Sequence, residues 1–410
     1  MAEGTRRAVI VTFKRKNERP DQETDKVDIV RATIRSSVNF VPVGTMARGT
    51  ALPVGIPSET IGFDVNQYEA PIVTASLTDE EVDALRANEN VAMVEEDSPV
   101  YALESEPSRL LEGLVFEGQP APLAETVPWG VSAVKAPAAW EGSQGKVIKV
   151  AVLDTGIDGA HSDLAANYKG GISFVPTESS PMDFNSHGTH CAGTIAARLN
   201  GVGVVGVAPA ADLYAVKVLS RTGSGQFSWI IAGIDWCISN GIHIVSMSLG
   251  ASSAPTAVET ICNTAWDRGL LLVAAAGNSG PGVPVGFPAA YANVIAVSAI
   301  DSSNMIAGFS SRGPEVELCA PGVGVLSTTP GNTYGTKSGT SMACPHVAGV
   351  AALAWGGHRY ANNITIRRLL AWTADNLGIP GRNPEHGYGR VDAEQAACEM
   401  TVPPAVPGIP

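Results

Sequence analysis

The sequence predicts an α/β protein built on a mostly parallel sheet with helices on both faces, preceded by a small α+β unit. Three observations carry this. From "KVIKVAVLDTG" onward, short Val/Ile/Ala-rich runs alternate with helical patterns: "LYAVKVL", "FSWIIAGIDWCISNG", "HIVSMSLG", "AVETICNTAWDRG", "LLLVAAAGN". Continuous apolar strands separated by amphipathic helices are the pattern of a parallel sheet covered on both sides. The first hundred residues read differently, as strand, loop, helix and strand, and the organisation changes near residue 104.

In order along the chain, "RRAVIVTFK" reads as a strand, and "SLTDEEVDALRANENV" as a helix opened by a capping box, Thr78 to Glu81. Val82 and Leu85 lie on one face of that helix, and "VAMVEED" reads as a further strand. The intervening "FVPVGTMARGTALPVGIPSETIG" is rich in Gly and Pro and reads as an extended loop. Residues 104–124 are acidic and punctuated by Pro, which predicts a linker, with a helical turn around "SRLLEGL" as the alternative. Residues 125–400 form the large unit, and 401–410 a flexible tail.

With 410 residues, 45% of them hydrophobic, the chain can bury a large core. A net charge of −13 argues against nucleic acid or an anionic membrane as partner. The longest apolar run, "LLLVAAAGNSGPG", is broken too early to span a bilayer. The opening "MAEGTRRAVIVTFK" shows no apolar segment followed by a cleavage site, so no signal peptide is read there. Six scattered cysteines without a CxxC pattern give no zinc site. Cys237 and Cys262, on successive predicted helices, are the candidates for a bridge.

In parallel α/β sheets ligands bind beyond the carboxyl ends of the strands. Polar residues fall there: Asp154 ends "VAVLD", Ser248 ends "HIVSMS", and Asn278 ends "LLLVAAAGN". His187 in "DFNSHGTHCAGTIAA" opens a small-residue helix and reads alone as either a capping, a packed or a functional histidine. His187 and His190 share an i, i+3 spacing but lack the glutamate of the zinc-protease helix motif. Ser341 in "GTSMACPHVAG" precedes a run with Val347, Val350, Ala351 and Leu353 at helical spacing. Its hydroxyl is either a helix cap or a nucleophile at the positive end of a helix dipole.

Together "AVLDTGIDGAHSDL", "NSHGTHCAGT", "AAAGNSG" and "GTSMACPHVAG" resemble the subtilisin-like serine proteases, the subtilases, from about "TVPWGV" to "GRVDAEQAA". The order acid, His, Ser separates this pattern from the α/β-hydrolases, which run Ser, acid, His. The resemblance implies a serine endopeptidase in which Ser341 attacks, His187 takes its proton and Asp154 orients the imidazole. Asn278 and the Ser341 N–H would then form the oxyanion hole. The alternative is a non-proteolytic binding module that retains the fold.

The same resemblance implies a polypeptide substrate clamped as an added strand between Gly223, Ser224 and Gly225 on one side and Ser248, Leu249 and Gly250 on the other. Gly286 would floor an open apolar pocket for the residue before the scissile bond, and Phe227 would line a pocket three residues upstream. It further implies structural calcium held by Glu125, Asp163, the Asn200 side chain and the carbonyls of Arg198, Val202 and Val204. A weaker cation site would use Glu317 with the carbonyls of Ala289, Tyr291 and Val294. Cys191 resembles one branch of the family, Cys344 replaces a usual serine, and Met342 is expected to be open to oxidation.

Residues 1–103 resemble, more weakly, the family's inhibitory propeptide, which implies a self-cleaving zymogen secreted as a monomer. Glu95, Glu96 and Asp97 match carboxylates that cap helices of the protease. Counting onward places Val100–Leu103 in the cleft and the cut between Leu103 and Glu104. The 104–124 tether would let Glu125 reach its calcium site either before or after that cut.

Overall fold

The computed structural model describes residues 5–53, 56–65, 71–104, 118–119, 124–399 and 403–409. Most of the expected linker, including the "SRLLEGL" turn, lies outside them.

The N-terminal unit runs β1 (Arg7–Phe13), α1 (Lys26–Thr33), β2 (Asn39–Pro42), β3 (Ile61–Val65), β4 (Ile72–Leu77), α2 (Asp79–Arg86) and β5 (Val91–Glu96). The strands form one sheet in the order β2-β3-β4-β1-β5. Alternation along β1 and β4 splits its two faces. Val9, Val11, Phe13, Val73, Ala75 and Leu77 pack against Val27, Val30, Val82 and Leu85 of the two helices. Thr78 and Glu81 form the expected capping box, and the same Glu81 carboxylate accepts the backbone N–H groups of Arg35 and Ser36, tying the α1 exit to α2.

β6 (Pro99–Ala102) leads out of this unit. The large unit continues with α3 (Trp129–Ala133), α4 (Ala136–Ala139), β7 (Lys149–Asp154), β8 (Tyr168–Ser173), α5 (His187–Ala196), β9 (Asp212–Lys217), β10 (Ser224–Gln226) and α6 (Phe227–Ser239). Next come β11 (Ile244–Met247), β12 (Leu249–Gly250), α7 (Thr256–Asp267), β13 (Leu271–Ala275), β14 (Val294–Ile300), β15 (Val316–Pro321), β16 (Val325–Thr329) and β17 (Thr333–Lys337). α8 (Thr340–Gly357), α9 (Asn363–Trp372) and α10 (Ala393–Cys398) close the chain. Seven strands form the main sheet, β15-β14-β13-β11-β7-β9-β8, and every pairing in it is parallel.

Odd and even positions of these strands feed two cores. Val150, Val152, Leu213, Ala215 and Val273 pack with α5 and α8, whereas Ala151, Leu153, Val216, Val245 and Leu272 pack with α6 and α7. The chain order reverses direction at β7, whose neighbours are β9 on one side and β11 on the other. Asp154 therefore ends its strand at the switch point, where such sheets open a crevice.

The Gly/Pro-rich segment is more than an extended loop. β2 pairs in parallel with β3. Between them the chain docks on the large unit: the Met46 carbonyl accepts from Trp236 Nε1 at 3.1 Å, and the Gly49 N–H donates to the Gly171 carbonyl at 3.0 Å. The Arg48 guanidinium lies 4.9 Å from the Tyr214 ring centre. Gly171 belongs to β8, an outer strand of the main sheet, so the segment covers an edge that would otherwise present free carbonyls. No local pattern reveals this, because the partners are more than a hundred residues away.

Cys237 and Cys262 are both free and buried, so the possible bridge is not formed. Each thiol is instead an apolar filler of the core beneath α6 and α7. In the tail Ile409 is buried, and the Tyr388 hydroxyl donates to the Pro407 carbonyl.

Candidate active site

Three loops at the carboxyl edge of the sheet meet the start of α8. Asp154, the last residue of β7, accepts from His187 Nδ1 at 2.7 and 2.9 Å with both carboxylate oxygens. Both side chains are wholly buried. Burial disfavours the imidazolium, but the Asp154 charge and hydrogen bond, with Glu104 beyond them, outweigh it and hold the His187 pKa above its ordinary value. That is the electrostatics of a base that must carry a proton transiently.

The loop before α5 is pinned by Asp183, a buried carboxylate that local sequence gave no reason to single out. It accepts from the backbone N–H groups of Asn185, Ser186 and Thr189 and from the hydroxyls of Thr155 and Thr189. Ser186 is thereby kept left-handed at φ 95°, a conformation that costs a residue with a Cβ. Asp183 thus joins the segment after Asp154 to the turn that aims His187.

Ser341 is the second residue of α8, and Gly339 is the residue at the cap, so the hydroxyl is not the helix cap. Its Oγ donates to the Ser248 carbonyl at 2.9 Å, while among the described residues His187 Nε2 has no hydrogen-bond partner. In this arrangement the serine hydroxyl is therefore not bonded to His187 Nε2. Asn278 is held by Thr340, whose N–H and hydroxyl both donate to Asn278 Oδ1 at 2.9 and 2.8 Å. The amide nitrogen is thereby aimed into the cleft, where it donates to the Leu103 carbonyl at 2.7 Å. Gly339 makes room: a Cβ there would lie 2.6 Å from that same carbonyl oxygen. Both helpers sit in the quoted "GTSMA" stretch, but only the fold shows what they touch.

The segment before Leu103 lies in the cleft as a strand. β6 pairs antiparallel with β10 through Ser224 and Gly225 and with β12 through Leu249 and Gly250. The Ala102 N–H donates to the Gly223 carbonyl, and the Leu103 N–H to that of Ser248. Val100 is buried in one cluster with Phe227 and Leu249. A Cβ on Gly250 would come within 3.0 Å of the Leu103 side chain, so glycine leaves that side of the pocket open. Gly286 pairs its N–H with the Ala276 carbonyl and lies against the Ala251 backbone.

His190 Nε2 is hydrogen-bonded to the Val325 carbonyl at 2.9 Å, and burial pushes its pKa well down. Cys344, beneath the nucleophile, is buried and its pKa is raised to about 11, which keeps the thiol neutral. Met342, next to the nucleophile, is wholly buried.

Away from the cleft, Glu125, Asp163 and the 198–204 loop come together. Glu125 Oε1 accepts from the N–H groups of Asn200 and Gly201, and Asp163 accepts from Asn200 Nδ2, the Val204 N–H and the Tyr334 hydroxyl. Two carboxylates and the Asn200 amide thus converge on this loop, and carboxylate and amide oxygens are hard donors of the kind calcium takes. The second expected cation site is different. Glu317 is clamped by Arg367 at 2.6 to 3.2 Å with both side chains buried, and Arg367 Nη2 also reaches the Val294 carbonyl. Ala289 and Tyr291 lie in the adjoining turn, where the Tyr291 carbonyl accepts from the Val294 N–H. A guanidinium supplies the positive charge that an ion would have brought.

A parallel α/β sheet carrying an Asp–His pair, a serine at a helix start, an aimed amide donor and a peptide held as a strand defines a serine endopeptidase. The chain belongs to the subtilase family: the profile of the "Subtilase family" matches residues 145–389. It is 47% identical over 357 residues to subtilisin E of Bacillus subtilis (strain 168), covering 86% of this chain and 87% of that one. It is 50% identical over 279 residues to a subtilisin of Bacillus pumilus, covering 67% of this chain and all of that one. To M-protease of Shouchella clausii (strain KSM-K16) it is 47% identical over 334 residues, 81% of each chain. Among the described residues no helix is long and apolar enough to cross a membrane.

Proposed function

We propose that this endopeptidase is a self-cleaving zymogen that cuts itself between Leu103 and Glu104, with residues 1–103 remaining as an inhibitor until degraded. One observation carries the proposal: Asn278 holds the Leu103 carbonyl while residues 99–102 form the middle strand between β10 and β12. Ser341 turns from the Ser248 carbonyl to His187 Nε2, gives up its proton and attacks the Leu103 carbonyl carbon. The imidazolium that forms is stabilised by Asp154, and the charge on the carbonyl oxygen by Asn278 and the Ser341 N–H. His187 then protonates the Glu104 amine as it leaves, and water hydrolyses the acyl-enzyme at Leu103.

Broad specificity with a preference for large apolar or aromatic residues before the scissile bond follows from the open pocket beside Gly250. Calcium is the cation we assign to Glu125, Asp163 and the 198–204 loop, with Asn200 turning its oxygen inward. It would neutralise two converging carboxylates and tie the loop to the segment that enters the large unit at Glu125. The Glu125 N–H already pairs with the Gly201 carbonyl while the 103–104 bond is intact, which supports assembly of that site before the cut.

Ser341→Ala is expected to leave the full chain whole and folded. The unaltered chain should yield a fragment that begins Glu104-Ser105-Glu106. Residual self-cleavage in a pure Ser341→Ala preparation, or a first cut elsewhere, overturns the proposal.

A further inference from the structure

The residue just after the scissile bond meets a charge. Glu104 places both carboxylate oxygens on Lys337 Nζ, at 2.9 and 3.1 Å. Lys337 ends β17, two residues before Gly339, and its side chain is only 5% exposed. A lysine is a strongly hydrated cation, and one taken from water into a cleft favours an anion as its occupant. We propose that Lys337 selects peptides with an acidic residue directly after the scissile bond. The inference rests on residues 99–104 lying in the cleft as a substrate does.

The reaction itself sharpens the preference. Lys337 opposes a positive charge on His187, and Glu104 favours it. In the productive cycle the imidazolium forms as the bond is broken, so a carboxylate after that bond offsets Lys337 when the second positive charge appears. An acidic residue should therefore raise kcat as well as lower KM. A basic residue would bring a third positive charge to the same corner.

The test digests a random-sequence peptide mixture with the active enzyme released from the full chain and maps the cuts by mass spectrometry. After the cut, Asp and Glu are expected to exceed Lys and Arg by at least about tenfold, the ratio that a modest surplus of one charge-assisted contact supplies. Lys337→Met should flatten this ratio, Lys337→Arg should keep it and Lys337→Glu should invert it. Because each ratio is internal to one enzyme, a change in overall activity does not affect it. No acidic enrichment in the unaltered enzyme, or an enrichment that survives Lys337→Met, overturns the proposal. Residues before the cut are read in the same data, so failure of the apolar preference there would be seen separately.

Discussion

The seven-stranded sheet buries both faces under helices of its own unit, whereas the five-stranded N-terminal sheet covers one face itself and leaves the other to the protease. Ile10, Phe63, Val65 and Ile72 share a cluster with Ile230, Ile231 and Trp236 of α6, and the Phe63 and Phe174 rings meet edge-to-face at 5.6 Å. Two carboxylates finish the joint. Glu95 accepts from the Thr256 and Ala257 N–H groups at the start of α7, and Asp97 from the Ser228 N–H at the start of α6. Of the three carboxylates expected as caps, Glu95 and Asp97 make these bonds. A sheet with one borrowed face depends on its neighbour, and a sheet with two owned faces does not.

The largest expected effect comes from separating the two units. Residues 1–103 produced alone should show little ordered structure by circular dichroism, because their outer apolar face would be open to water. Adding residues 104–410 carrying Ser341→Ala should restore the signal. An isolated fragment that melts cooperatively, with or without the protease, would remove the dependence argued from the shared cluster.

Next in size is the effect of Asn278→Ala, which changes chemistry and leaves both sheets intact. Removing the matching donor from subtilisin lowers kcat by about a hundred- to a thousand-fold, and a loss of that order is expected here with little change in KM. Unaltered kcat would remove Asn278 from the oxyanion hole despite its bond to Leu103.

Chelation should act on the large unit alone. An ion bound only by the folded state and present at about a hundred times its dissociation constant adds roughly 3 kcal/mol, so excess chelator should lower the Tm of the mature enzyme. A Tm that does not move in chelator would take calcium out of the account.

The smallest effect is a pH dependence of the joint. Burial raises the Asp97 pKa from 3.8 to about 6, with the bonds from Ser228 and Phe227 working against it. The docked unit thus holds a proton that the undocked unit releases, so docking is favoured most below pH 3.8 and this advantage is lost as pH rises through about 6. Calorimetric titration of residues 1–103 into the Ser341→Ala protease should show that slope, and Asp97→Asn should abolish it. An identical slope in Asp97→Asn would assign the pH dependence to another group.

The local grammar of the chain was enough to place Asp154, Ser248 and Asn278 at strand ends and Ser341 at a helix start, since apolar runs and their polar terminators are near neighbours. Thr78 and Glu81 were legible for the same reason: a capping box spans four residues. What only the tertiary structure decided lies between residues far apart. Lys337 and Glu104 are 233 positions apart, Trp236 and Met46 190, and Arg367 and Glu317 50. The Glu317 carboxylate read as a cation ligand because its guanidinium partner could not be seen from its own segment. Periodicity reports which face of an element is apolar, but the identity of what covers that face is settled only when the whole chain has folded.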